Sequence, residues 1–174
     1  MFFMRIGVLL LGVWLVGCSQ VYETTLDNGL KIVVKEDHRS PVVVSQTWYK
    51  VGASTEPQGL SGISHVLEHM MFKGTTTHKP GEFSRIIAEN GGRENAFTGR
   101  DYTAYFQQLE KSRLAVSFEL EADRMHHLLL QEDEVRKEVQ VVMEERRMRT
   151  DDEPEAQLYE KFMATAFQVH PYKD

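Results

Sequence analysis

The chain has 174 residues, which allows one domain with a real buried core and argues against several domains. An apolar fraction of 41% and a charged fraction of 26% are ordinary for a globular protein. The net charge of −6, with no basic arm, argues against a nucleic-acid partner.

The first seventeen residues stand apart. Arg5 supplies a positive charge, residues 6–16 form an apolar run, and Gly17 follows, which is the anatomy of an export signal too short to span a membrane. The segment Leu15-Val16-Gly17-Cys18 resembles a bacterial lipoprotein lipobox, in which the cysteine is lipidated and becomes the mature N-terminus. Cys18 is the only cysteine, so the mature protein has no internal disulfide. Acyl chains at Cys18 would hold it at a membrane, and Ser19 resembles the outer-membrane sorting pattern. The expected organisation is a lipoprotein signal peptide over 1–17 and one domain over 18–174. The expected location is the periplasmic face of the bacterial outer membrane.

From residue 21 the pattern is β. Apolar-rich runs at 21–26 and 30–35 flank Asn28-Gly29, the strongest short hairpin signal. A third run at 42–51 is rich in β-branched and aromatic residues, so the three predict an antiparallel start to a sheet. The glycine-containing segment 52–62 leads into a helix over 63–72, closed by Gly74. Pro80 suits the first turn of a second helix reaching about residue 90, with Phe83, Ile86 and Ile87 as its buried face and Gly91-Gly92 beyond its end. Two short strands are expected at 94–98 and 103–109.

Beyond residue 112 the period becomes helical, and Leu114, Phe118, Leu120, Ala122, Met125 and the leucines 128–130 read as a buried stripe. A helix over 132–149 carries Val135, Val139, Val142 and Met143 on its apolar side, and another is expected over 155–167. Strands, helices, strands, helices in that order predict an α+β fold, with helices packed on a largely antiparallel sheet.

The 63–72 helix contains the chemistry. In Ser64-His65-Val66-Leu67-Glu68-His69-Met70 the two histidines lie one turn apart on one face and can offer imidazoles to a single ion. Neutral imidazoles suit Zn²⁺, which in catalytic sites takes three protein ligands and leaves the fourth position to water. Zinc lowers the pKa of that water to about 7, and Glu68 can lean over the site and take its proton during attack on a carbonyl. The order is H-x-x-E-H rather than H-E-x-x-H. The third ligand is expected on the glutamate-rich 132–149 helix, where composition alone does not choose among Glu134, Glu138, Glu144 and Glu145. His126 and His127 lie among leucines, while His38, His78 and His170 sit in loops without a partner pattern. Met70, Met71 and the other helix methionines read as core filler.

These segments together resemble the inverzincin peptidases, the family of pitrilysin, insulysin and the mitochondrial processing peptidase β subunit. The resemblance covers nearly the whole chain after the leader. It aligns residues 138–145 with the family's E-x-x-x-x-x-x-E segment, which implies Glu145 as the third ligand of one zinc ion and Glu138 as the glutamate supporting the site. It also matches Gly91-Gly92-Arg93-Glu94-Asn95-Ala96-Phe97-Thr98 to the family's G-G-x-x-N-A-x-T segment, whose edge strand accepts an extended peptide. Asn95 and Ala96 would then hold the substrate backbone.

The implied fold is the N-terminal part of a pitrilysin-like, LuxS/metallopeptidase-like half. The implied function is a zinc-dependent endopeptidase domain acting on peptides or unfolded segments, with Glu68 as base and then acid. Family members have a longer first domain and a second, similar domain that supplies further substrate-binding groups, so the chain reads as truncated relative to them. A second domain or subunit is an expected partner. The rival reading is a non-catalytic zinc- or peptide-binding fragment that needs that partner for turnover. A purely structural metal site would leave Glu68 without a purpose.

Overall fold

The computed structural model describes residues 20–173. The expected leader and Cys18 lie outside the described residues. The chain forms two compact units, one ending at Ser40 and one beginning at Pro41.

In the first unit, β1 (Val21–Thr25) and β2 (Lys31–Lys35) form an antiparallel hairpin in the register Val21↔Lys35. Gly29 adopts φ +86°, the left-handed conformation that the turn requires and that glycine reaches without a Cβ clash. The Asn28 side chain accepts the Leu30 N–H at 3.1 Å, and the Leu26 N–H donates to the Leu30 carbonyl at 2.9 Å. His38, expected without a partner, lies 3.1 Å from Glu36.

The second unit is built on β3 (Val42–Tyr49), β4 (Arg93–Thr98) and β5 (Thr103–Glu110), in the spatial order β3-β5-β4 with both pairings antiparallel. The third apolar run therefore takes β5 as its partner rather than continuing the hairpin (Tyr49↔Thr103 through Val42↔Glu110), which corrects the simple three-strand expectation. Adjacency in sequence predicts pairing only when a short turn enforces it, and His38-Arg39-Ser40-Pro41 is no such turn.

Among the described residues five α-helices complete the fold: α1 (Ile63–Met70), α2 (Glu82–Glu89), α3 (Leu114–His127), α4 (Glu132–Arg146) and α5 (Pro154–Ala166). Between α4 and α5 the chain widens into a π-helical turn, Arg147–Asp151. The expected α+β class holds. Phe83 and Ile87 of α2 pack with Leu109 and Leu120, flanked by Val43, Ile86 and Val116, so the expected apolar face of α2 is indeed the core face.

Helix α3 departs from expectation. Phe118 and Met125 are 57% and 46% exposed, while the buried positions are Ser117, Leu120, Glu121 and Arg124. The reason lies opposite, on β5, where Gln107 points into the same layer and is itself buried. Its amide must be satisfied at both ends. Ser117 Oγ donates to Gln107 Oε1 at 2.7 Å, and Gln107 Nε2 donates to Glu121 Oε1 at 2.6 Å. Arg124 completes the set by a two-pronged pair with Glu121 (Nε to Oε2 at 3.0 Å), and its guanidinium lies 4.2 Å from the Tyr105 ring centre and 4.6 Å from that of Phe83. The helix turns its polar i, i+4, i+7 row inward because the sheet offers a polar partner there. Met70, Met71 and Met163 do fill the core, whereas Met125, Met143 and Met148 are exposed.

A second polar cluster fixes the loop after α1. Asp123 of α3 accepts hydrogen bonds from Thr75 Oγ1 (2.6 Å), Thr77 Oγ1, His78 Nδ1 (3.0 Å) and His127 Nδ1 (2.9 Å). His78 thus has the partner that its sequence context did not reveal. Burial opposes the charge of Asp123, but these donors outweigh it and hold the carboxyl well below the usual range.

Two stability measurements test this account. Arg124→Leu leaves the buried Glu121 carboxyl without its cationic partner, and should lower the unfolding free energy in denaturant titrations by about 3–5 kcal/mol. For Asp123, a folded-state pKa below the unfolded value near 3.9 means stability that is present above about pH 4 and lost as pH falls below it. Asp123→Asn should therefore be less stable at neutral pH, and its stability should fall less steeply than wild type below about pH 4.

Candidate metal centre

Helix α1 begins where Gly62, at φ +93°, turns the chain, and the Glu56 carboxylate accepts the Gly62 and Ser64 N–H groups at 2.7 and 2.8 Å. These contacts satisfy donors that a helix start leaves unpaired, and they put negative charge at the positive end of the dipole. From this fixed start, Ser64 and Met70 face the interior while His65, Glu68 and His69 line an open cleft of about 700 Å³. The histidine ring centres are 4.8 Å apart.

Helix α4 packs beside α1 and contributes Glu145 to the same cleft. One ligand atom from each of His65, His69 and Glu145 lies within 4.8 Å of the others. Glu145 Oε2 is 3.7 Å from His65 Nε2, and Glu145 Oε1 is 3.6 Å from His69 Nε2. Donors set about 2.1 Å from a tetrahedral ion stand about 3.4 Å from one another, so these separations, too long for hydrogen bonds, suit a shared cation. Two imidazoles and a carboxylate are a donor set that zinc accepts.

The rival glutamates point elsewhere. Glu144 pairs with Arg147 at 2.8 Å on the exposed side, and Glu134 pairs with Lys137 at 2.6 Å. Glu138 is buried two turns before Glu145. It lies 3.1 Å from His69 Nδ1 through one oxygen and 2.5 Å from Lys73 Nζ through the other. Burial works against its charge, but the hydrogen bonds from Lys73 and His69 hold its carboxyl below the usual range. A carboxylate accepts hydrogen bonds, so a neutral His69 ring that offers Nε2 to a metal would carry its proton on Nδ1, the nitrogen that faces Glu138.

Glu68 reaches toward β4, where Thr98 Oγ1 donates to Glu68 Oε2 at 2.5 Å. Thr98 is held beside Thr103, whose hydroxyl donates to the Val51 carbonyl at 2.9 Å. Residues 95–99 of β4 and its turn line the cleft, and in the β3-β5-β4 order β4 is an edge strand. Asn95 Oδ1 accepts the Ala96 N–H at 2.9 Å, so a peptide pairing with that group would take the place of this side chain.

Sequence reasoning did not single out four contributors: Glu56, Lys73, Arg149 and the hydroxyl of Thr98. Arg149, on the π-helical turn, lies 3.1 Å from Glu145 Oε2. The spacing of His69 and Lys73, one helical turn, was a usable signal for a shared partner. Glu56 carried none, because its partners are backbone groups.

The family model described as insulinase, peptidase family M16, matches residues 31–174. The zinc protease PqqE of Helicobacter pylori is 46% identical over 149 residues, 85% of this chain and 34% of that protein. The uncharacterized zinc protease YmxG of Bacillus subtilis is 35% identical over 127 residues, 73% of this chain and 31% of that protein. The crystal structure of a protease from Helicobacter pylori superposes with a TM-score of 0.85 at 44% identity, over 89% of this chain and 38% of that one. The chain spans about a third of the length of these curated relatives. With most of its length matched by the family model and by these relatives, this chain belongs to the insulinase family, peptidase family M16.

Proposed function

We propose that this chain forms the zinc-binding and proton-transfer part of an endopeptidase site, with His65, His69 and Glu145 holding one Zn²⁺ and Glu68 acting as base and then acid. The observation that carries the reading is the convergence of three donors from α1 and α4 with Glu68 beside them, in a cleft bordered by an edge strand. When bound, the metal supplies Lewis acidity that polarises a peptide carbonyl and acidifies the attacking water. The chain's own residues do the rest. Glu68, oriented by the Thr98 hydroxyl that donates to its Oε2, takes the proton of the attacking water and hands it to the departing amine nitrogen. Glu138 keeps the His69 proton on Nδ1, so that Nε2 stays a lone-pair donor.

Substrates in this reading are peptides or unfolded segments that extend along β4, with Asn95 and Ala96 meeting the peptide backbone. Backbone pairing at an edge demands little of side-chain identity. A second peptidase-like domain or subunit is the proposed partner, closing the cleft and adding groups that stabilise the transition state. The alternative, a zinc- or peptide-binding module without turnover of its own, draws on the chain's one-third share of the relatives' length. Cleavage of a quenched unstructured peptide by the purified chain with zinc, alone and with a candidate partner, separates the two.

Glu68→Gln should bind zinc as wild type does yet lose about 10²–10⁴-fold in cleavage rate, and wild-type turnover in that variant would remove Glu68 from the mechanism. For the proposed lipid anchor at Cys18, Cys18→Ser should move the protein from the membrane to the soluble fraction. Unchanged membrane association would refute the anchor.

A further inference from the structure

Lys73 lies just past the end of α1, one turn beyond His69, and its ammonium reaches Glu138 Oε1 at 2.5 Å. The other Glu138 oxygen faces His69 Nδ1 at 3.1 Å. Glu138 is 5% exposed and sits on α4, so one buried carboxylate ties His69 of α1 and Lys73 just beyond its end together from across the helix interface. A carboxylate with only the histidine as partner would be free to rotate about its terminal torsion, which is broad and roughly two-fold. Anchored by Lys73, it has one orientation.

We propose that Lys73 is a positioning residue for the metal centre: it fixes the Glu138 carboxylate so that Glu138 holds the His69 ring in the Nδ1–H form with Nε2 directed into the cleft. The metal part of this inference rests on the zinc-site reading above; the His69 ring part does not. The role differs from that of a neighbouring cation acting through its charge. A positive group close to a divalent ion repels it, so charge alone predicts tighter metal binding when Lys73 is removed. Positioning predicts the opposite, because partners in the outer shell of a metal site contribute about 10–100-fold to affinity through ligand orientation.

The experiment uses the full chain and measures Zn²⁺ affinity by competition with a chromophoric chelator for wild type, Lys73→Met, Lys73→Arg, Glu138→Gln and the Lys73→Met/Glu138→Gln double variant. Lys73→Met should bind zinc about tenfold more weakly. Lys73→Arg, which keeps a donor to the carboxylate, should recover most of that loss. In the Glu138→Gln background, Lys73→Met should add little, since Lys73 acts through Glu138. Unchanged or tighter binding by Lys73→Met, or full additivity in the double variant, would overturn the proposal.

A second readout needs no metal. In ¹⁵N NMR spectra of the metal-free chain, recorded where the ring nitrogen shifts show the neutral form, His69 should show a single Nδ1–H tautomer in wild type and a tautomer mixture in Lys73→Met. An identical single tautomer in both would overturn the positioning role whatever the zinc data show. Absence of zinc binding by the wild-type chain alongside the expected tautomer change would count against the metal reading and leave Lys73's hold on the ring established.

Discussion

The packing of α1 against α4 is the constraint on which the candidate centre depends. Two histidines one turn apart are a local matter, but a third donor has to arrive from another element and stop within a few ångströms. The α1/α4 interface includes polar groups that do this. Glu138 is buried between the helices with both oxygens engaged, and Glu145 stands two turns further along the same face, at the cleft. An unpaired carboxylate in the position of Glu138 would be costly, so its two partners and the helix spacing specify one another. Register along α4 is thereby set to the turn, and that register puts Glu145 rather than Glu144 beside the histidines.

The same logic recurs beneath the sheet. Gln107, Ser117, Glu121 and Arg124 form a buried chain of hydrogen bonds between β5 and α3, with the Arg124 guanidinium stacked among aromatic rings. Such a network tolerates few alternative arrangements, because shifting one member strands the next. It anchors the central strand β5, on which β4 is registered from Arg93↔Gln108 to Thr98↔Thr103, and so steadies the edge that borders the cleft. Gly52 contributes from the other side. A Cβ there would stand 2.4 Å from the Gly99 carbonyl oxygen, and its absence lets residues 52–55 close onto the β4–β5 turn.

The charged groups of the cleft are drawn from separate elements. Glu56 caps α1, Glu68 leans on Thr98, and Glu145 pairs with Arg149 from a π-helical turn. Widened turns of this kind recur at functional sites, where they redirect a side chain that a regular helix would carry past its target. Here the turn accompanies an arginine placed beside the proposed ligand carboxylate.

By itself the sequence determined the local features: the hairpin at Asn28-Gly29, the amphipathic face of α2, the paired histidines with Glu68 between them, and element boundaries within a few residues. Each depends on residues near one another in the chain, where period, turn chemistry and caps act directly. Resemblance carried the reading further, to Glu145 and Glu138, which composition of the 132–149 helix could not separate from Glu134 and Glu144. Tertiary structure decided the rest. The partner of β3, the polar inward face of α3, the exposure of Phe118 and Met125, the role of Asp123 as a hub for His78 and His127, and the contacts of Glu56, Lys73 and Arg149 all depend on which element lies opposite. A hydrophobic stripe predicts burial only against an apolar neighbour. Where the neighbour offers Gln107 or a backbone amide, hydrogen-bond satisfaction overrides apolar periodicity, and that choice is made across space rather than along the chain.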